Sequence, residues 1–193
     1  MVIRSFLAFE LTPEIKQIVS RVLAVAVKST PDVRWARAAS IHLTVVFLGH
    51  IRDVDLTAIE AAARRVCLNY RPFDVSLQGM GCFPSERNPR VIWLGLQGDT
   101  DRMARFRDAL QRELEPIGIR PEKRPFRPHL TLGRIRTGRG GGGRRELSAL
   151  LSTYHDLTSA GWPLAELVLF KSDLRPSGAV YTKLKAWPLS GDE

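Results

Sequence analysis

The chain has 193 residues, 44% of them hydrophobic, which is enough to bury a sizeable core in one large domain or two small fused lobes. Lys and Arg total 29 against 20 for Asp and Glu, and the net charge of +9 favours an anionic partner, with nucleic acid first. A basic protein without such a partner carries the same charge. No segment approaches the ~18 consecutive apolar residues of a membrane span, so no membrane partner is expected.

The two cysteines and the N-terminal residues exclude further classes of protein. Cys67 and Cys82 provide neither a disulfide framework nor a zinc site, and both are expected to be small core residues. Residues 1–9 have no basic region before their apolar run and lead directly into a helix start. We therefore expect these residues to form a first strand and not a signal peptide. A cytoplasmic location is expected by default.

In chain order, the first half of the sequence alternates between strand and helix periodicity. The periodicity predicts strands at residues 2–9, 33–35, 42–48, 73–82 and 91–96, with helices at 13–28 and 56–70. Thr12 is a candidate N-cap for the first helix, and Asp53 or Asp55 for the second. Gly49 is expected to close the strand before it, and residues 84–89 are expected to form a hairpin loop.

The second half repeats this order in outline. It predicts a helix capped by Thr100 and ended by Pro116, a strand at 129–135, a short helix at 147–154 and a hairpin of 167–171 with 180–186. Each half then contains a helix, a strand that begins with His-x-Thr, another helix and a hairpin. This repetition predicts an α+β fold of two pseudo-symmetric lobes, which together form a single domain over residues 1–193.

The two His-x-Thr motifs are the candidate site. Residues i and i+2 of a strand share a face, so His42 projects with Thr44, and His129 projects with Thr131. The apolar residues between them face the other way, where a core accepts them. A single His-x-Thr is usually a hydrogen-bonded structural feature. Two copies at equivalent places in the half-patterns favour residues that line one cleft.

Two His and two Thr can perform acid/base chemistry on a phosphate. Imidazole has an unperturbed pKa near ~6.5, so one neutral and one protonated ring provide a general base and a general acid. Thr hydroxyls can donate hydrogen bonds to the nonbridging phosphate oxygens and stabilise a phosphorane-like transition state without a metal. Neither motif strand has an acidic residue or a second His to complete a metal site. His50 and His155 have no Thr two residues on and are expected to be surface or structural residues.

The two motifs and their context resemble the two-histidine (2H) phosphoesterase superfamily, and within it the prokaryotic RNA 2′,3′-cyclic phosphodiesterases, once called 2′-5′ RNA ligases. The resemblance covers nearly the whole chain, through residues 4–9, 33–35, 42–49, 126–134, 169–174 and 178–181. It implies that each lobe is an antiparallel sheet with helices on its outer face, and that the lobes surround a central groove. A monomer without cofactors is expected, with RNA that ends in a 2′,3′-cyclic phosphate as the partner, tRNA fragments or small cyclic nucleotides included.

The resemblance also implies a role for each site residue. His42 would be the general acid that protonates the leaving 3′ oxygen, and His129 the general base that activates water, so the product would be a 2′-phosphomonoester. Thr44 and Thr131 would hold the phosphate. Arg134 matches an Arg that follows the second motif in relatives and would help to bind the phosphate. Strict strand alternation places Arg134 on the face opposite His129, so this role requires a bulge or the strand end.

Other parts of the sequence leave alternatives open. Residues 136–145 are rich in Gly and Arg, which predicts either a mobile loop that reaches a polyanion at the cleft or a solvated tether. Trp35 and Phe83 are candidates for stacking on a base, although Trp35 is more typical of a core. The same cleft could instead ligate or cleave 2′-5′ linkages, or the chain could be an RNA-binding module without turnover. Hydrolysis is favoured because water is abundant and both His-x-Thr pairs are intact.

Overall fold

The computed structural model describes residues 2–30, 32–135, 144–176 and 178–193. Within these ranges the chain forms nine strands, namely β1 (Val2–Phe9), β2 (Val33–Trp35), β3 (Leu43–Arg52), β4 (Phe73–Ser85), β5 (Asn88–Gly98), β6 (His129–Ile135), β7 (Trp162–Leu164), β8 (Glu166–Arg175) and β9 (Gly178–Pro188). The same ranges contain four helices, namely α1 (Pro13–Ser29), α2 (Leu56–Cys67), α3 (Thr100–Leu114) and α4 (Arg144–Thr153).

The strands form two antiparallel sheets, and each His-x-Thr motif belongs to a different sheet. The first sheet has the strand order β3-β1-β8-β9, and the second has the order β2-β6-β5-β4-β7. The Cα atoms of β3 and β6 come within 8 Å of each other, so the two motif-bearing strands meet between the sheets. The prediction of an α+β fold with two pseudo-symmetric lobes around a central groove is confirmed.

Alternation along β1 separates two apolar clusters. Leu7 and Phe9 belong to the main core, which the helices share with both sheets. Helix α1 contributes an apolar stripe at helical spacing to this core: Ile15, Val19, Val22, Leu23 and Ala26. A smaller cluster on the other face of the first sheet consists of Phe6, Ala8, Val168 and Phe170. Because burial of apolar area is the main stabilising contribution to folding, apolar packing on both faces of the first sheet stabilises the folded chain.

Several predicted boundaries are wrong. β3 does not stop before Gly49 but continues to Arg52, because Gly49, with a φ of +74°, lies where the β1–β3 register shifts and the ladder resumes. The residues predicted as a loop at 84–89 are mostly paired, since Pro84 lies opposite Pro89. Thr100 is the first residue of α3, and it is not the cap. Strand β7 is absent from the sequence prediction because Pro163 lies in its middle, and a proline argues against a strand except at a sheet edge, which is where β7 lies.

Cys67 and Cys82 are both free and buried, as expected of small core residues. Burial raises the pKa of the Cys67 thiol to about 12. Among the described helices, none is long and apolar enough to cross a membrane. The predicted Gly/Arg-rich loop falls largely on residues 136–143, which lie outside the described residues, and α4 begins at Arg144.

Candidate active site

A bulge in β6 places the three predicted residues of the second motif on one face of the second sheet. The β5–β6 ladder pairs alternate residues of β5 with these three: Gly95 with His129, Trp93 with Thr131 and Val91 with Arg134. Alternate residues of a strand share a face, so their partners do as well. The register shift adds one residue, Leu132, to β6 between Thr131 and the next pair. This is the bulge that the predicted role of Arg134 requires, and it brings Arg134 to the side of His129.

His129 lies half-buried against Phe83 of the second sheet, which in turn packs against Trp93. Phe83 meets the imidazole edge-on, with ring centroids 5.0 Å apart, and Trp93 lies 5.1 Å from Phe83. A groove of about 690 Å³ opens beside these rings and extends to Gln97 and Asp156. The described residues that line this groove include His129 but not His42.

His42 lies half-buried immediately before β3, among aromatic rings of the first sheet. Phe6 stacks on the imidazole with centroids 4.5 Å apart, Tyr181 meets it edge-on at 5.0 Å, and Phe170 lies 6.1 Å away. These contacts hold the plane of the His42 ring. The sequence prediction missed all three residues because they come from β1, β8 and β9, and only the sheet register shows that they share a face.

The same kind of local hydrogen bond holds the rings of His42 and His129. Nδ1 of His42 lies 2.9 Å from the carbonyl oxygen of Ser40, and Nδ1 of His129 lies 2.6 Å from the carbonyl oxygen of Arg127. A carbonyl oxygen only accepts, so Nδ1 is the protonated nitrogen that donates in both rings. The lone pair of the neutral ring is therefore on Nε2, which is the nitrogen left to exchange protons with a substrate.

The environment lowers the pKa of both histidines from the ordinary imidazole value. Burial is the main cause for His42, and the hydrogen bond to the Ser40 carbonyl opposes it in part. Burial is also the main cause for His129, where the Arg127 carbonyl opposes it and the positive charge of Arg134 lowers the pKa further. Both shifts disfavour the protonated imidazole, and among the described groups a nearby cation, Arg134, contributes to the shift at His129.

The two threonines are placed to donate hydrogen bonds. Thr44 and Thr131 are half-buried, whereas Leu43 and Leu130, next to them in the chain, are 0% exposed, so both motifs alternate as expected. Within the described part of the chain, neither threonine hydroxyl has a hydrogen-bond partner. Both hydroxyls are therefore available to an anion at the cleft.

The remaining candidates lie in less specific surroundings. Trp35 packs against the main core and donates its indole N–H to the Thr30 carbonyl oxygen at 3.3 Å, which is the core role that its residue type favoured. His155 is exposed and contacts Asp156 at 2.8 Å, and His50 is exposed at the far end of β3. Among the described residues, no group of three or more His, Cys, Asp or Glu is arranged to hold a metal ion.

Comparison with known proteins assigns this arrangement to a family. The profile of the 2′-5′ RNA ligase superfamily matches residues 15–175. The chain belongs to the 2′-5′ RNA ligase superfamily. The resemblance inferred from the two motifs is thereby confirmed.

Curated relatives and solved structures in this superfamily resemble nearly the whole chain. An RNA 2′,3′-cyclic phosphodiesterase of Methanothermobacter thermautotrophicus is 31% identical over 98% of this chain and 100% of its own length. Another of that name, from Aeropyrum pernix, is 32% identical over 74% of this chain and 78% of its own. The structure of TT0787 from Thermus thermophilus has a TM-score of 0.81 and 25% identity, covering 98% of this chain and 100% of that one. E. coli LigT complexed with 3′-AMP has a TM-score of 0.73 and 24% identity over 98% and 99% of the two chains, which shows a shared fold.

Proposed function

We propose that this chain hydrolyses RNA 2′,3′-cyclic phosphate ends to 2′-phosphomonoesters, with His42 and His129 as general acid and base and without a metal. The observation that carries the proposal is the duplicated arrangement of a histidine that donates from Nδ1 to a backbone carbonyl and a threonine hydroxyl on the same face. Relatives named RNA 2′,3′-cyclic phosphodiesterase support the substrate. In this proposal, residues 1–193 act as one catalytic domain.

The asymmetry between the two rings supports the assignment of base and acid. Arg134 disfavours a positive charge on His129, so His129 is the ring that stays neutral and accepts the proton of water at Nε2. A bound phosphate anion raises the proton affinity of a nearby imidazole. Among the described groups, no cation opposes this effect at His42. His42 is then the ring that carries the proton for the leaving group.

The reaction in this arrangement is an in-line displacement at phosphorus. Water loses a proton to His129 as its oxygen bonds to phosphorus, and the bond from phosphorus to the 3′ oxygen breaks. His42 gives its proton to that oxygen, which leaves a 3′-hydroxyl and a 2′-phosphomonoester. Thr44 and Thr131 donate to the nonbridging oxygens, where charge accumulates in the transition state. Proton exchange with solvent restores both rings.

The test is hydrolysis of an RNA oligonucleotide that ends in a 2′,3′-cyclic phosphate, with and without EDTA. We expect a 2′-phosphate product, identified by ³¹P NMR against 2′- and 3′-phosphate standards, at the same rate in both conditions. A doubly substituted protein, His42→Ala with His129→Ala, controls for contaminating nucleases. A 3′-phosphate product, or a rate lost in EDTA and restored by a divalent ion, contradicts the proposed mechanism.

The superfamily description favours ligation as a second candidate activity. Attack on the cyclic phosphate by a 5′-hydroxyl of another RNA, in place of water, forms a 2′-5′ linkage with the same acid and base. Adding an excess of 5′-hydroxyl acceptor RNA to the same assay separates the two reactions. Hydrolysis remains the main reaction if the acceptor yields less joined RNA than 2′-phosphate.

A further inference from the structure

A second arginine lies beside Arg134 on the face of the second sheet that carries His129 and Thr131, here called the site face. The β2–β6 ladder pairs Arg34 directly with Arg134, and both side chains are exposed. Directly opposite residues of an antiparallel pair project from the same face of the sheet. Because Arg134 shares its face with His129 and Thr131, Arg34 lies on that face as well, one strand farther from His129.

The neighbours of Arg34 in β2 fix its position, because their side chains pack on the opposite, core-facing side of the sheet. Val33 is 7% exposed and belongs to the main core, as does the partly buried Trp35 packed against it. Both side chains lie close over Gly133, where a Cβ would come 2.7 Å from Val33 and 2.8 Å from Trp35. The amide of Ala36 also donates to the Leu132 carbonyl at 2.7 Å. Strand β2 therefore cannot turn over to carry Arg34 away from the site face.

The pairing of Arg34 with Arg134 is electrostatically unfavourable by itself. Like charges directly opposite each other on antiparallel strands destabilise the pair. Within the described ranges, no carboxylate forms an ion pair with either Arg34 or Arg134, and neither guanidinium has a hydrogen-bond partner. An anion between or above the two guanidiniums removes this repulsion, and a phosphate matches their planar, forked donors.

We propose that Arg34 binds the phosphate on the 5′ side of the terminal nucleotide, while Arg134 acts at the reacting cyclic phosphate. This inference rests on the proposed function and specifies its substrate further. In an RNA end, the nearest other phosphate is joined to the 5′ oxygen of the same nucleotide. The order His129, Thr131, Arg134, Arg34 across the site face thus follows the order of the two phosphates. Arg34 selects RNA ends and 5′-phosphorylated nucleotides over nucleosides that carry only the cyclic phosphate.

The test compares two substrates that differ only in this phosphate: adenosine 2′,3′-cyclic phosphate with a 5′-hydroxyl and the same compound with a 5′-phosphate. The readout is the ratio of their kcat/KM values. We expect the wild-type ratio to favour the 5′-phosphate, and Arg34→Ala to reduce it by about tenfold or more, as for the loss of a charge-assisted hydrogen bond. Arg34→Lys keeps the charge without the fork and should give an intermediate ratio.

The matched control is Arg21→Ala, which removes the same charge from an exposed position of α1. Because α1 packs on the core face, this substitution should leave the ratio unchanged. A fall in the ratio for both Ala variants would assign the effect to net charge and overturn the inference. Equal losses on both substrates in Arg34→Ala would overturn it too, because Arg34 would then act at the reacting phosphate or on folding. Absence of turnover by the wild type on every cyclic phosphate would instead refute the proposed function.

Discussion

The stacking of Phe6 on His42 leads to a prediction about both stability and catalysis. Phe6 is 4% exposed and contacts three further rings: Phe47 at 6.2 Å, Phe170 at 5.4 Å and Tyr181 at 5.1 Å between centroids. Replacement of a buried Phe by Ala costs about 3–5 kcal/mol. The small cluster around Phe6 borders the site, so we expect Phe6→Ala to cost about 3 kcal/mol. For a chain of this length, that loss lowers Tm by roughly 6–12 °C.

The same substitution should change His42 in a defined direction. Removing the Phe6 ring admits water to the imidazole, and burial is the main cause that lowers its pKa. The pKa of His42 should therefore rise toward the ordinary imidazole value, while kcat falls because the ring is no longer held in plane. Phe9→Ala is the matched control, since Phe9 lies on the same strand, is 1% exposed and points into the main core against Phe73 and Phe106.

The measurements are urea unfolding for stability, NMR titration of the His42 Cε1–H signal for the pKa, and kcat on adenosine 2′,3′-cyclic phosphate. Both variants should lose stability by a similar amount, because each removes a buried ring. Only Phe6→Ala should raise the pKa of His42. An equal pKa change in both variants, or none in Phe6→Ala, would refute the view that Phe6 sets the environment of His42.

Three further predictions concern the histidines and the buried thiol. His42→Ala and His129→Ala should each lower the rate by about 10² or more. With an aryl phosphodiester whose leaving group needs no protonation, His42→Ala should recover much of this loss and His129→Ala should not. Rescue of His129→Ala alone would reverse the assignment of acid and base. Both lowered His pKa values mean that the unfolded chain binds more protons below pH ~6.5, so the free energy of unfolding should fall as pH drops through that range. The fall should be smaller in a His42→Asn, His129→Asn protein, and an equal fall by urea titration would contradict this origin. Because burial raises the pKa of Cys67 to about 12, iodoacetamide should label it only after unfolding, as read by mass spectrometry; fast labelling of the native protein would contradict its burial.

The sequence by itself determined the features that depend on neighbours a few residues apart. The i, i+2 spacing within each His-x-Thr placed each His with its Thr and turned the intervening leucines to the core, and the structure has this alternation at both motifs. Helical spacing likewise predicted a helix at residues 13–28, and in α1 the apolar residues at that spacing are buried whereas Val25 and Val27 are 48% and 53% exposed. Both periods are properties of the local backbone, so no tertiary contact is needed to infer them.

Only the tertiary structure decided which other side chains join the two motifs. Simple alternation put Arg134 on the wrong face, and the extra residue at Leu132 in the β5–β6 ladder corrected it. Phe6 reached His42, and Arg34 came opposite Arg134, through pairings between strands that are distant in the chain. Register and bulges depend on how two separate strands match their buried faces, and that match is absent from either strand alone. The sequence therefore predicted the candidate reacting groups, whereas the packing of the sheets determined which residues surround them.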